Sequence, residues 1–220
     1  AISVADAAVI VVNCKAGIEV GTYKAWELCE KYKLPRIIFV TNMDDDHASY
    51  RELLLRLEKE FGRKIAPFHL PIRENEKFVG FVNVVKMAGR RFTVNSDYEE
   101  CEIPEYSQKN LGIAREALME AVAETSEEYM ERYFSGDEFT QEEISSALRE
   151  HVIEGNIVPV MLGSGINAQG AKMVLQGIDK YFPTPDRYEC IGVDVSTGER
   201  FTAKYNDNVS LSARVFKTIV

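Results

Sequence analysis

The 220-residue sequence has no apolar run near the length a bilayer requires: its stretch from Ala7 to Val12 is far too short and follows no basic leader, so neither a membrane span nor a targeting signal is expected. It has no excess of basic residues. Lys and Arg number 26 against 35 Asp and Glu, a net charge of -9, which excludes a protein that holds DNA or RNA backbone by displacing counterions. Cysteine is scarce, and Cys14, Cys29, Cys101 and Cys190 show no CxxC or other metal-ligand spacing with each other or with the three histidines. No metal site is expected, and reduced thiols suit a cytoplasmic protein. There is also no Gly-x-x-x-x-Gly-Lys-Ser/Thr string, and so no loop built to cradle phosphates. Ala1 opens the chain in mid-pattern and the apolar Ile219-Val220 closes it, as expected of an internal piece of something longer.

What is present has two rhythms. Ala7 to Asn13 and Arg36 to Val40 are continuous Val/Ile-rich runs, the pattern of strands covered on both faces. Between them Ala25, Leu28, Cys29 and Tyr32 recur at helical spacing from about Glu19 to Tyr32. After an acidic turn, Tyr50, Leu53, Leu54, Leu57 and Phe61 mark a second helix, stopped at Gly62. This β-α-β-α order predicts a parallel sheet. The rhythm changes after Ile65: Phe78 to Val85 and Arg91 to Val94 predict a hairpin turning at Met87 to Arg90, a long helix follows from about Asn110 to Tyr133, and Thr140 with Glu143 predicts a capping box. The first rhythm then returns, with a strand at Ile157 to Leu162 and a helix at Ala171 to Tyr181 that turns Val174, Leu175, Ile178 and Tyr181 inward. The fold class is α/β, a parallel sheet interrupted by an α+β insertion. Short β-prone stretches such as Val209 to Phe216 predict the start of a β domain.

Two turns hold candidate chemistry. Asp44, in Thr41-Asn42-Met43-Asp44, follows the second strand, where open α/β sheets bind ligands, and an ionised carboxylate accepts two parallel N–H bonds of the kind guanine offers. The same acidic turn also suits the N-terminus of a helix. Gly163-Ser164-Gly165 after the last strand brings small residues close to a flat ligand, or simply turns a strand into a helix. Residue types alone leave both pairs of alternatives open.

The strings Asp6-Ala7-Ala8-Val9, Ala16-Gly17-Ile18-Glu19, Lys33-Leu34-Pro35-Arg36-Ile37 and Phe39-Val40-Thr41-Asn42-Met43-Asp44 resemble the middle of an elongation factor G-type nucleotide domain. The likeness continues through Glu99-Glu100-Cys101-Glu102-Ile103-Pro104, Glu127 to Tyr133, Val158-Pro159-Val160, Gly163-Ser164 and Tyr181-Phe182-Pro183-Thr184-Pro185, and so covers essentially the whole chain. The resemblance implies a partial P-loop GTPase-type sheet: residues 1–62 as its guanine-reading half, 63–154 as an inserted subdomain, 155–185 as its last strand and helix, and 186–220 as a linker and the start of a β-barrel domain. It implies GTP or GDP as ligand, with Thr41, Asn42 and Asp44 and then Gly163, Ser164 and Gly165 as base-contacting positions. Mg²⁺ and the catalytic residues are expected only in the full-length protein, and this piece alone is expected to be inactive. The family pattern at the first turn is Asn-Lys-x-Asp. Thr41 and Asn42 depart from it while Asp44 keeps it, which bears on affinity more than on selectivity.

Along the long helix, Glu116, Glu120, Glu124, Glu127 and Glu131 fall nearly opposite the apolar face. Like charges four apart do not favour a helix, and a solvated face or a docking surface accounts for them equally. The resemblance implies docking: Glu120 and Glu124 match positions that meet a basic ribosomal stalk protein, and geometry adds Glu116 and Glu127. The expected function is a ribosome-associated, cytoplasmic translocation factor that binds and hydrolyses GTP. A tetracycline-resistance-type ribosomal protection GTPase and a ribosome-binding factor with a degenerate nucleotide site are the alternatives. No membrane or DNA partner is expected. Self-association is expected through Ala7 to Asn13, whose neighbouring strand in the family is missing.

Overall fold

A computed structural model describes residues 2–93 and 97–203. The first apolar run forms β1 (Ala8–Asn13), followed by α1 (Val20–Tyr32), β2 (Arg36–Thr41) and α2 (Tyr50–Phe61). A short β3 (Ile65–Pro67) leads into β4 (His69–Glu74), β5 (Lys77–Asn83), β6 (Ala88–Phe92) and β7 (Tyr98–Cys101). Three helices follow, α3 (Glu105–Ala123), α4 (Glu127–Ser135) and α5 (Gln141–Glu154). The chain then returns through β8 (Val158–Leu162) and α6 (Ala171–Tyr181) to a terminal pair, β9 (Cys190–Val193) and β10 (Arg200–Ala203).

These strands make a parallel sheet of order β1-β2-β8-β3, an antiparallel sheet of order β4-β5-β6-β7, and an antiparallel β9-β10 hairpin. The parallel sheet is clad on both faces. Arg36 stacks on Trp26 of α1, 4.1 Å from its ring centre, while its neighbour Ile37 lies against Gly177 of α6. Trp26 in turn stacks on Phe61 at 4.2 Å, which joins α1 to α2. Every residue of β8 is buried, as the central position of an unalternated apolar strand requires. Phe68 couples the two sheets: its N–H reaches the Val160 carbonyl, its carbonyl accepts from Val84, and its ring packs edge-on against Tyr181. A cluster of Phe78, Phe81, Phe92 and Tyr98 fills the antiparallel sheet's inner face.

Several expectations are corrected. The helix foreseen from Asn110 to Tyr133 is two helices, because Thr125 donates its hydroxyl to the Val122 carbonyl at 2.6 Å and Ser126 accepts from the Tyr129 N–H at 3.1 Å. Such local side-chain bonds end one helix and cap the next. The inward line of α1 runs through Thr22, Trp26 and Cys29, with Leu28 and Tyr32 exposed, since the Trp26 stack sets the helix's rotation. Likewise α6 buries Met173, Gly177 and Tyr181 and leaves Leu175 67% exposed: Gly177 allows close approach to Met161, where a Cβ would collide. The hairpin turns at residues 84–87, where Asn83 accepts from the Lys86 N–H and Met87 takes a φ of 52°. By pairing, β3 joins the parallel sheet, although it falls within 63–154. The capping box at Thr140 and Glu143 is present. Val94 and the stretch Val209 to Phe216 lie outside the described residues.

Candidate functional site

Three loops meet at the C-terminal edge of the parallel sheet, the edge where such sheets bind ligands. After β1, the Asn13 side chain accepts from the N–H groups of Lys15 and Ala16, closing a tight turn, and the Cys14 N–H donates to the Thr41 carbonyl. After β2, Asn42 takes a left-handed φ of 60°, a conformation that asparagine tolerates better than most residues. The chain then dips inward at Met43, which is fully buried, and its N–H donates to the Gly163 carbonyl at 3.1 Å. After β8, the Gly163 N–H returns a bond to Val40, and a Cβ on Gly163 would overlap the Gln169 carbonyl, so no larger residue fits.

Asp44 stands on this framework half-buried, and its Oδ1 is sealed from solvent without a hydrogen-bond partner among the described residues. An ionisable oxygen left unsatisfied by its own protein is costly, roughly 1–3 kcal/mol or more, unless a donor arrives from elsewhere. Its neighbour Asp45 differs: the His47 N–H and the Lys15 ammonium, 3.0 Å from Oδ2, hold its carboxyl below the usual range. Burial pushes the Cys14 thiol up to about 11 against the opposing Arg73 charge, so it stays protonated and is no nucleophile.

Thr41, Asn42 and Asp44 are therefore brought together with Gly163, Ser164 and Gly165. Their capacities differ. The N–H groups of Gly163 and Ser164 are consumed by Val40 and Gln169, and the buried Ser164 hydroxyl accepts from Asn167. Among these three, only the Gly165 N–H makes no hydrogen bond with the described residues, and Gly165 lies beside the Thr41 hydroxyl. The site thus presents an unsatisfied carboxylate oxygen and an unused amide donor on neighbouring loops.

Glu116, Glu120, Glu124 and Glu127 lie elsewhere and are all exposed. Glu116 and Glu120 are on α3, Glu124 is its C-cap, and Glu127 begins α4, so the single stripe is divided by the helix break. Glu120 and Glu124 line a groove of about 1390 Å³ between α2 and α3, with Leu54, Ile113 and Ala117 among its walls. Arg73 is a participant that no spacing in the sequence pointed to: it reaches from β4 to the Met43 carbonyl at 2.7 Å. Among the described residues no group of three or more His, Cys, Asp or Glu side chains is placed to hold a metal, and no helix is long and apolar enough to cross a membrane.

Comparison with known proteins gives concordant matches. The family model described as the elongation factor Tu GTP binding domain matches residues 1–184. Proteins named elongation factor G from Chlamydia trachomatis serovar D (strain ATCC VR-885 / DSM 19411 / UW-3/Cx) and serovar A (strain ATCC VR-571B / DSM 19440 / HAR-13) are each 35% identical over 222 residues, covering 97% of this chain and 32% of theirs. A crystal structure of a Thermus thermophilus protein superposes with a TM-score of 0.77 at 34% identity, covering 84% of this chain and 28% of that one. The chain spans about a third of the length of these curated relatives.

Proposed function

The chain belongs to the elongation factor Tu GTP-binding domain family, and from that premise we propose that it is the guanine-reading portion of a ribosome-associated elongation factor that binds and hydrolyses GTP when complete. One observation supports the assignment of the site above all: the buried Oδ1 of Asp44, without a partner among the described residues, at the C-terminal edge of the parallel sheet, on a loop that meets the one carrying the Gly165 N–H. Guanine carries the complement, with two parallel N–H donors on one edge and a carbonyl on the next. Asp44 accepts the donors and Gly165 donates to the carbonyl. Gly163 and Ser164 shape the loop, and Thr41 and Asn42 set the turn's backbone. Phosphate and Mg²⁺ contacts belong to the complete protein and to none of the residues named here.

The division of labour follows the two rhythms of the chain. The parallel sheet reads the base, the block around β4 to α5 is the inserted subdomain, and residues from 186 onward lead into a β domain. Glu116, Glu120, Glu124 and Glu127 form a negative surface for a basic ribosomal stalk protein, and the whole acts in the cytoplasm. Support for docking is electrostatic: exposed like charges sit beside an apolar-walled groove. The edge strand β1, with Val11 60% exposed, pairs copies of this chain with each other. Sedimentation at tens of micromolar should show a dimer or larger species, and a clean monomer would refute that pairing.

The decisive test is base preference in the complete protein. Asp44→Asn puts an amide N–H₂ where a lone pair stood, so it loses guanine and gains relative preference for xanthine, whose C2 carbonyl accepts that proton. Titration with labelled GDP and XDP reads the switch. Unchanged base preference in Asp44→Asn sinks the assignment.

A further inference from the structure

The turn that holds Asp44 is supported from outside its own sheet. Arg73, on β4 of the antiparallel sheet, donates from Nη2 to the Met43 carbonyl at 2.7 Å and to the Ala48 carbonyl at 3.4 Å, and from Nη1 to the Glu76 carbonyl at 2.6 Å. Among the described residues it pairs with no carboxylate: its charge is directed at backbone carbonyls. Its own backbone is fixed in turn by Tyr106 of α3, whose hydroxyl accepts from the Arg73 N–H at 2.9 Å and donates to the Arg73 carbonyl at 3.1 Å.

Met43 is therefore gripped twice. Its N–H is held by Gly163 and its carbonyl by Arg73, and the peptide whose carbonyl Arg73 holds is the one that begins Asp44. Rotation of that peptide would swing the Asp44 carboxylate away from the edge where its Oδ1 is now buried. Charge-assisted bonds of this length are about twice as strong as neutral ones. Displacements on the order of 1 Å in a binding group are costly to function. The preceding residue, Asn42, sits at a φ of 60°, so the chain enters Met43 from the left-handed region.

We propose that Arg73 is a positioning residue for the guanine-reading turn, fixing the Met43 to Asp44 peptide from the antiparallel sheet and so tying base affinity to the placement of β4 and α3. This rests on the assignment of Asp44 as the base reader. Arg73 touches no base; it acts through the Met43 carbonyl. Because the same bonds run both ways, a ligand on the turn also steadies β4 and Tyr106, a reciprocity that linkage requires.

The test uses the complete protein and fluorescently labelled GDP. Arg73→Ala should weaken GDP roughly ten-fold, as expected if the released turn holds its competent geometry about a tenth of the time, mainly through faster dissociation, with the preference for GDP over XDP retained. Arg73→Lys, which keeps a cationic donor, should recover a good part of the loss. Tyr106→Phe, which removes only the hydroxyl that fixes the Arg73 backbone, should produce a smaller weakening of the same kind. GDP affinity and dissociation within two-fold of the parent in Arg73→Ala overturn the proposal, as does an equal loss in Arg73→Ala and Arg73→Lys. Asp44→Asn measured alongside separates the two claims. If it switches base preference while Arg73→Ala is silent, only the positioning role fails; if it switches nothing, the base-reader assignment fails first.

Discussion

Asp44 and Glu120 carry the same functional group in opposite surroundings. The Asp44 carboxylate is set by three converging loops at the edge of the parallel sheet, with one oxygen buried and unsatisfied among the described residues. Glu120 stands with Glu116 on α3, both exposed, with Glu120 and the C-cap Glu124 at the wall of the groove between α2 and α3. Burial removes water as an alternative partner, so Asp44 gains from one geometry and one complement, and loses if that complement is absent. Exposure leaves water in place, so each glutamate contributes little alone, and the group acts as a field that ions screen over about 8 to 10 Å. Under the proposed reading, the first region recognises a small rigid ligand and the second steers a large charged one.

A third group tests whether burial is the operative difference. His69 is fully enclosed between Phe81 and the Tyr50 region, and burial holds its imidazole down at about 3, against 6.5 in the open. The folded state then refuses a proton that the unfolded chain accepts, so stability is intact above about 6.5 and falls as pH drops toward 3. The full loss is on the order of 5 kcal/mol. Urea unfolding between pH 7 and 4 should show that slope, and a His69→Gln variant should flatten it. A slope unchanged by the substitution would mean that other groups set the acid sensitivity.

The next effect separates the two carboxylate regions by salt. Asp44→Asn in the complete protein should cost about 1 to 3 kcal/mol of GDP affinity, and the cost should be nearly the same at 50 and 300 mM salt because the bonds are short and shielded. Comparable losses that vanish at high salt would place Asp44 with the surface charges. The smallest effect is expected at the helix. Glu120→Lys with Glu124→Lys should weaken binding to a basic stalk protein by roughly 1 kcal/mol at low salt, fading at 300 mM, with helix content by circular dichroism unchanged. A double variant that binds as the parent does would leave these glutamates as a plain solvated face.

Much of this was legible in the chain itself. The two unalternated runs, the Gly62 stop, the Thr140 and Glu143 box, and the coincidence of Asp44 with the end of β2 are local signals, and local signals survive folding when packing agrees with them. Helix rotation was less legible. In α1 and α6 the apolar spacing favours Leu28 and Leu175 over Trp26 and Gly177, yet contact with a neighbouring element favours the best-fitting line of residues over the most regular one. The break at Thr125-Ser126 was hidden because two short polar residues interrupt the apolar spacing without displacing it.

By itself the sequence determined the alternation of strands and helices in the parallel sheet, the excess of acidic over basic residues, and which two turns follow its second and last strands, because periodicity, charge and residue chemistry are properties of the chain alone. Only the tertiary structure decided that these turns meet through Met43 and Gly163, that Asp44 keeps a buried oxygen without a partner among the described residues, that of Gly163, Ser164 and Gly165 only the last has an N–H unbonded to them, and that Arg73 from another sheet holds the turn. Hydrogen bonds between residues 30 to 120 positions apart leave no spacing in a sequence; they exist only once burial has brought their partners within about 3 Å.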